Sequence, residues 1–217
     1  MLKNIILMGP PGAGKGTLAK QLKVAHHLVH ISTGDMFREA IKAETPLGKL
    51  AQSYIAKGHL VPDDVTIGIV RDRLSQEDCA NGFLLDGFPR TLVQAEALDK
   101  LAVEIHRPID VVVNLDCDEK ELIRRISGRR VCKNCGTPYH INTMKSKIEG
   151  ICDVCGGPLF QRPDDNEEAL KVRLGHYNHD TKPLLDYYKA KGLLVNFNSL
   201  VGSEDLFDEV SLFLKSK

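Results

Sequence analysis

The stretch Gly9-Pro10-Pro11-Gly12-Ala13-Gly14-Lys15-Gly16-Thr17 could hold a chain of phosphates. Glycines let backbone N–H groups turn inward around phosphate oxygens, and a lysine at the end reaches the outer ones. A helix opening at this point adds positive potential. The pattern departs from GxxxxGK[ST] in one place: Gly16 follows Lys15, and the hydroxyl comes one residue later, at Thr17. Further along, Gly82-Phe83-Leu84-Leu85-Asp86 puts a carboxylate at the end of an apolar run. Beside a triphosphate, a carboxylate so placed commonly holds Mg²⁺ directly or through water.

A second chemistry lies in Cys132-Lys133-Asn134-Cys135-Gly136 and Cys152-Asp153-Val154-Cys155-Gly156. Two C-x2-C knuckles at this spacing suit a tetrahedral Zn²⁺ with four thiolates, although four sulfurs also suit iron. Four protein ligands leave no open position, so the metal would be structural. Cys79 and Cys117 flank strands and read as small buried residues. His176 and His179, spaced i, i+3, read as surface residues of a helix.

These residues need a frame. Near-continuous apolar runs at Asn4–Met8, 28–31, 83–85, 111–115 and 193–197 read as strands buried on both faces. Helical patterns separate them, the last a long one over 167–190. The alternation predicts an α/β fold with a doubly wound, five-stranded parallel sheet. It is broken twice, by a helical stretch at 32–61 and by a Gly-, Cys-, Pro- and Arg-rich stretch at 128–165. Both read as inserts, leaving a core of 1–31, 62–127 and 166–217. Asp86 then falls at the carboxyl edge of the sheet, where ligands of such folds bind.

Bulk properties exclude several alternatives. Lys plus Arg and Asp plus Glu number 29 each, so no global field attracts nucleic acid or an anionic membrane. The opening apolar run is too short for a membrane span and lacks a cleavage-type segment after it, which makes the cytoplasm the default expectation. No large unexplained apolar surface demands a partner subunit, so a monomer is expected. A zinc ribbon that binds nucleic acid is the rival reading of the cysteine insert, with Arg129, Arg130, Lys133, Lys145 and Lys147 in support. The phosphate loop accounts for the arginines better.

Several strings in order then carry a resemblance: Ser32-Thr33-Gly34-Asp35-Met36-Phe37-Arg38, Asp86-Gly87-Phe88-Pro89-Arg90 with Gln94, Gly128-Arg129-Arg130, Arg162 with Asp164-Asp165, and Arg173. Together with GPPGAGKGT they resemble adenylate kinase over essentially the whole chain, including the long form of its lid. The resemblance implies a P-loop kinase-type core, an AMP-binding insert and a lid, running ATP + AMP ⇌ 2 ADP on free nucleotides. It implies that Gly12, Ala13, Gly14, Lys15, Gly16 and Thr17 hold the ATP phosphates. Thr33, Arg38, Gly87, Arg90, Gln94 and the backbone of His59, Leu60 and Val61 would hold AMP. Arg129, Arg162 and Arg173 would clamp the transferring group, with Lys15 and Arg90 catalytic beside them. Arg125 and Tyr139 would lie against ATP from the lid side, Val201 would meet the adenine, and Asp35 and Asp86 would orient water on Mg²⁺. Arg124 and Arg130 read as solvated charges. Leu18 and Ser199 depart from residues the family usually carries, Gln and Gly.

The physics supports that division of labour. A phosphate acceptor is already largely ionised near pH 7, so no general base is needed, and none is evident. Arginines, with a fixed fork that matches phosphate oxygens, are abundant. The choice of acceptor rests on less: Thr33 stands where pyrimidine monophosphate kinases carry Ala, and Gln94 can pair with an adenine edge. Another nucleoside monophosphate kinase, one preferring GTP, or a non-catalytic nucleotide sensor are the alternatives.

Overall fold

The computed structural model describes residues 2–217; Met1, counted with the core above, lies outside them. Five parallel strands run in the order β2-β3-β1-β4-β8: β1 Asn4–Met8, β2 Val29–Ser32, β3 Phe83–Asp86, β4 Val111–Asp116 and β8 Leu194–Asn198. The expected sheet is therefore present, with ends shifted by a residue.

Alternation along β1 divides the core. Ile5 and Leu7 face helices α1 (Lys15–His26), α6 (Glu119–Gly128), α7 (Glu167–His176) and α9 (Ser203–Ser216). Ile6 and Met8 face α4 (Asp63–Leu74), α5 (Leu92–Glu104) and α8 (Leu184–Ala190). Successive side chains of a strand point to opposite faces, so a five-residue apolar run serves both layers. Capping side chains start three of these seven helices: Thr91 accepts from Gln94 N, Asp118 from Glu121 N, and Asn166 from Ala169 N.

Residues between β2 and α4 form α2 (Thr33–Lys42) and α3 (Pro46–Ile55), packed on a small cluster of Phe37, Ala51 and Val61. After α6 the chain enters a three-stranded antiparallel sheet of β5 (Arg129–Cys132), β6 (Pro138–His140) and β7 (Leu159–Phe160), ordered β6-β5-β7. The single helix expected over 167–190 is a correction. α7 ends at His176, a π-helical turn spans Tyr177–Thr181, and α8 follows. Pro183 has no N–H to continue the ladder, and Lys182 N reaches back five residues to Tyr177 O at 2.7 Å. Among the described residues no helix is long and apolar enough to cross a membrane.

Candidate active site

The cleft at the carboxyl edge of the sheet begins with the loop after β1. Gly9, Gly12 and Gly14 have φ of 134°, 91° and 96°. The requirement is severe at Gly9, where a Cβ would sit 2.6 Å from Leu115 O on β4. No side chain caps α1 at Gly14, so amides of its first turn remain as donors. Lys15 Nζ donates to Gly9 O at 2.6 Å and Pro10 O at 2.8 Å. Burial, partly offset by Asp86 and reinforced by Arg90, Arg173 and Arg129, pushes Lys15 down to about 8. Asp86 Oδ2 lies beside Gly16, and His30 Nε2 stands 3.7 Å from it. Burial opposes ionisation of Asp86, but His30 and Lys15 outweigh it and hold its carboxyl below the usual range.

Guanidinium groups from four parts of the chain enter the same cleft, whose volume is about 730 Å³: Arg38 from α2, Arg90 from the turn after β3, Arg125 and Arg129 from the α6–β5 junction, and Arg162 and Arg173 from the return into α7. All but Arg162 have a local hydrogen-bond acceptor. Arg38 donates to Asp35 Oδ1 at 2.6 Å, and Arg90 Nε to Gly87 O at 2.8 Å. Arg129 takes both oxygens of Asp165, and Arg173 donates to Asp164 Oδ2 at 3.0 Å. Arg162 Nε is buried without a partner. Burial pushes Arg162 and Arg173 down to about 10, helped at Arg162 by Arg38 and Arg129. At Asp35 and Asp164 burial raises the carboxyl, and the surrounding arginines overcome it to leave both depressed. The wall is a dense set of cations, most of them paired with carboxylates, a lining that suits a polyanion.

Most residues singled out in the sequence lie on this wall: Gly12 through Thr17, Asp35, Arg38, Leu60, Asp86, Gly87, Arg90, Arg125, Arg129, Tyr139, Arg162, Arg173 and Val201. Four do not. Thr33 is buried with its hydroxyl on Gly87 O at 2.9 Å, and Val61 packs on Phe37. Gln94 is buried with both amide ends hydrogen-bonded, Oε1 to Arg90 N and Nε2 to Asp63. His59 is exposed, its Nδ1 3.0 Å from His176 Nε2. Arg125 spans Glu121 and Ser199 O, both at 2.7 Å. The Tyr139 hydroxyl turns away from the cleft, donating to Cys152 Sγ and accepting from Asp153 N.

In the three-stranded insert the four expected cysteines converge, all four Sγ atoms lying within 4.8 Å of one another. Cys132–Cys155 and Cys135–Cys152 are 3.4 and 3.6 Å apart, near the roughly 3.8 Å edge of a tetrahedron with about 2.3 Å Zn–S bonds. The knuckles are matched turns: Gly136 N donates to Cys132 O at 3.0 Å, and Gly156 N to Cys152 O at 2.9 Å. The donor set fits a closed four-thiolate metal site.

A family model described as adenylate kinase matches residues 7–193. The chain belongs to the adenylate kinase family. It is 54% identical to an adenylate kinase of Caldicellulosiruptor bescii over 213 residues, 98% of either chain. It is 54% identical to one of Staphylococcus aureus over 205 residues, 94% of either chain. With one of Bacillus velezensis the figures are 53% over 211 residues and 97% of either chain.

Within this adenylate kinase fold several cleft residues went unremarked in the sequence. His30 reaches Asp86 because β2 and β3 pair Ser32 with Asp86; strand alternation in register would have found it. Lys20 donates to Gly136 O, joining α1 to the cysteine insert. His176 is not a free surface residue: it lies on the cleft, between His59 and Asp180. Arg124 is exposed as expected, although it pairs with Glu121 and edges the cleft.

Proposed function

We propose that this protein catalyses reversible phosphoryl transfer from Mg-ATP to AMP, yielding two ADP. The observation that carries the reading is the convergence of Arg38, Arg90, Arg129, Arg162 and Arg173 on one cleft with Lys15 and the loop before α1. In the forward direction a phosphate oxygen of AMP attacks the γ-phosphorus of ATP. The bond from that phosphorus to the β–γ bridging oxygen breaks, and its electron pair leaves with ADP. No proton need move, so the residues supply alignment and neutralisation.

In this reading residues 32–61 form the AMP-binding insert, 128–165 the lid, and the remainder the core. Gly12 to Thr17 cradle the donor phosphates, with Arg125, Tyr139 and Val201 toward the donor base. Thr33, Arg38, His59 to Val61, Gly87, Arg90 and Gln94 frame AMP. Arg129, Arg162 and Arg173 neutralise the moving group, their carboxylate partners giving way to phosphate. Asp35 and Asp86, both depressed carboxyls, would orient water on the Mg²⁺ that accompanies ATP, and that ion would supply charge neutralisation at the phosphates. Cys132, Cys135, Cys152 and Cys155 would hold Zn²⁺, which supplies folding energy to the lid.

The test is purified protein with Mg-ATP and each nucleoside monophosphate in turn, following diphosphate formation. Transfer to AMP is expected. Transfer only to UMP or CMP would establish a different monophosphate kinase, and binding without transfer a sensor.

A further inference from the structure

Asp63 begins α4, outside every motif that marks the site. Its carboxylate nevertheless holds two residues of the turn into α5. Thr91 Oγ1 donates to Oδ2 at 3.0 Å, and Gln94 Nε2 donates to Oδ1 at 2.7 Å. The opposite end of the Gln94 amide is held as firmly, with Oε1 accepting from Arg90 N at 2.7 Å. Thr91 Oγ1 also accepts from Gln94 N at 3.2 Å, and Thr181 Oγ1 closes the assembly on Arg90 O at 2.9 Å. Gln94 is only 2% exposed.

Both partners of the amide have a single polarity. A main-chain N–H only donates, and a carboxylate only accepts. Rotating the Gln94 amide by half a turn would set N–H against N–H at Arg90 and oxygen against oxygen at Asp63. Each mismatch leaves a buried polar group unpaired. The oxygen of Gln94 is therefore fixed toward Arg90 and its nitrogen toward Asp63. One lone pair and one N–H remain for a ligand, in a fixed order.

That order distinguishes purines. A 6-aminopurine offers an exocyclic N–H donor next to a ring-nitrogen acceptor, which the fixed amide can meet at both atoms. A 6-oxopurine offers a carbonyl oxygen next to a ring N–H, the reverse pattern. A flexible glutamine could rotate to suit either, whereas this one is held. We propose that Asp63 is a positioning residue that fixes the polarity of the Gln94 amide and thereby sets the preference for a 6-amino over a 6-oxo purine monophosphate. The inference rests on the reading that Gln94 meets the acceptor base.

The experiment compares wild type, Asp63→Asn and Asp63→Ala with AMP and with IMP at fixed Mg-ATP, alongside thermal melts. For Asp63→Ala the KM for AMP should rise about tenfold, as expected for the loss of one oriented hydrogen bond, while kcat stays within about threefold. The ratio of kcat/KM for AMP over IMP should narrow by about tenfold or more. Asp63→Asn retains an oxygen that can accept from Gln94 and should keep most of the discrimination. Asp63→Ser, whose hydroxyl is too short to reach but suits a helix start, replaces the alanine variant if that one melts at the assay temperature. An AMP-to-IMP ratio unchanged within twofold in the alanine or serine variant overturns the inference. So does an equal loss on both substrates, or an asparagine variant as permissive as alanine. Wild-type protein that phosphorylates no AMP overturns the assignment of the acceptor and this inference with it.

Discussion

Arg162 Nη2 lies 3.7 Å from Asp35 Oδ1, so the segment leaving the three-stranded insert meets the first turn of α2 across the cleft. The same carboxylate receives Arg38 at 2.6 Å. One acidic group thus faces two cations, which in the proposed reaction would exchange it for the transferring phosphoryl group.

Arg162 is the strained member of that group, with a buried Nε lacking a partner and like charges at Arg38 and Arg129. Arg162→Ala should lower kcat by about 10²–10³-fold, the usual loss for one preorganised donor. It should leave the melting temperature unchanged or raise it, since an imperfectly compensated buried charge is removed. A coupled kinetic assay and a thermal melt check both; activity within fivefold of wild type would remove Arg162 from the clamp.

Lys15 titrates near 8 in the free protein because it is buried. Phosphate binding favours the ammonium and raises its pKa in the complex. ATP affinity should therefore be full below about pH 8 and should weaken up to tenfold per unit above it. Titration calorimetry of the wild type between pH 6.5 and about 9.5 measures this. Lys15→Arg should bind with a flat profile, and an equally steep fall in that variant would place the titrating group elsewhere.

Asp164 is a depressed carboxyl, so its contribution to stability is present above its unfolded value of about 3.9 and is lost as pH falls through its lower folded value. Asp164→Asn should cost about 1.5–3 kcal/mol at pH 7, from the weakened bond to Arg173. Its loss of stability on acidification should be shallower than that of the wild type. Urea melts at pH 7 and at about pH 3.5 test the pair, and parallel acid profiles would refute the assignment.

The cysteine insert should carry about one zinc per chain by metal analysis. Cys152→Ser should lose that metal and expose 128–165 to limited proteolysis while the sheet remains folded. Fully active, well-folded wild-type protein with reduced cysteines and no metal would eliminate the structural role.

Much of this was legible in the sequence because it is written locally. Strands such as Asn4–Met8 are buried on both faces and need continuous apolar runs, and the loop and knuckles need glycine at fixed offsets. What escaped is set by distant pairing. The strands of the three-stranded insert are too short, at two to four residues, to show an alternating pattern. The π-helical turn depends on Pro183 and on Thr181 bonding Arg90 O, ninety-one positions away. The occupied amide of Gln94 depends on Asp63, thirty-one positions earlier. His59 meeting His176 likewise has no local signal.

Arg129 and Asp165 stand at the two ends of the three-stranded insert and bind each other. An excursion that starts and finishes at one clasp is topologically a cassette. Its length and its cysteine cluster can change without redrawing the path of the chain through the sheet. In the proposed reading, a shorter insert beyond the clasp would change how well water is shut out and leave the loop before α1 as it stands. On that reading the enzyme's architecture would separate what it grips from how tightly it seals.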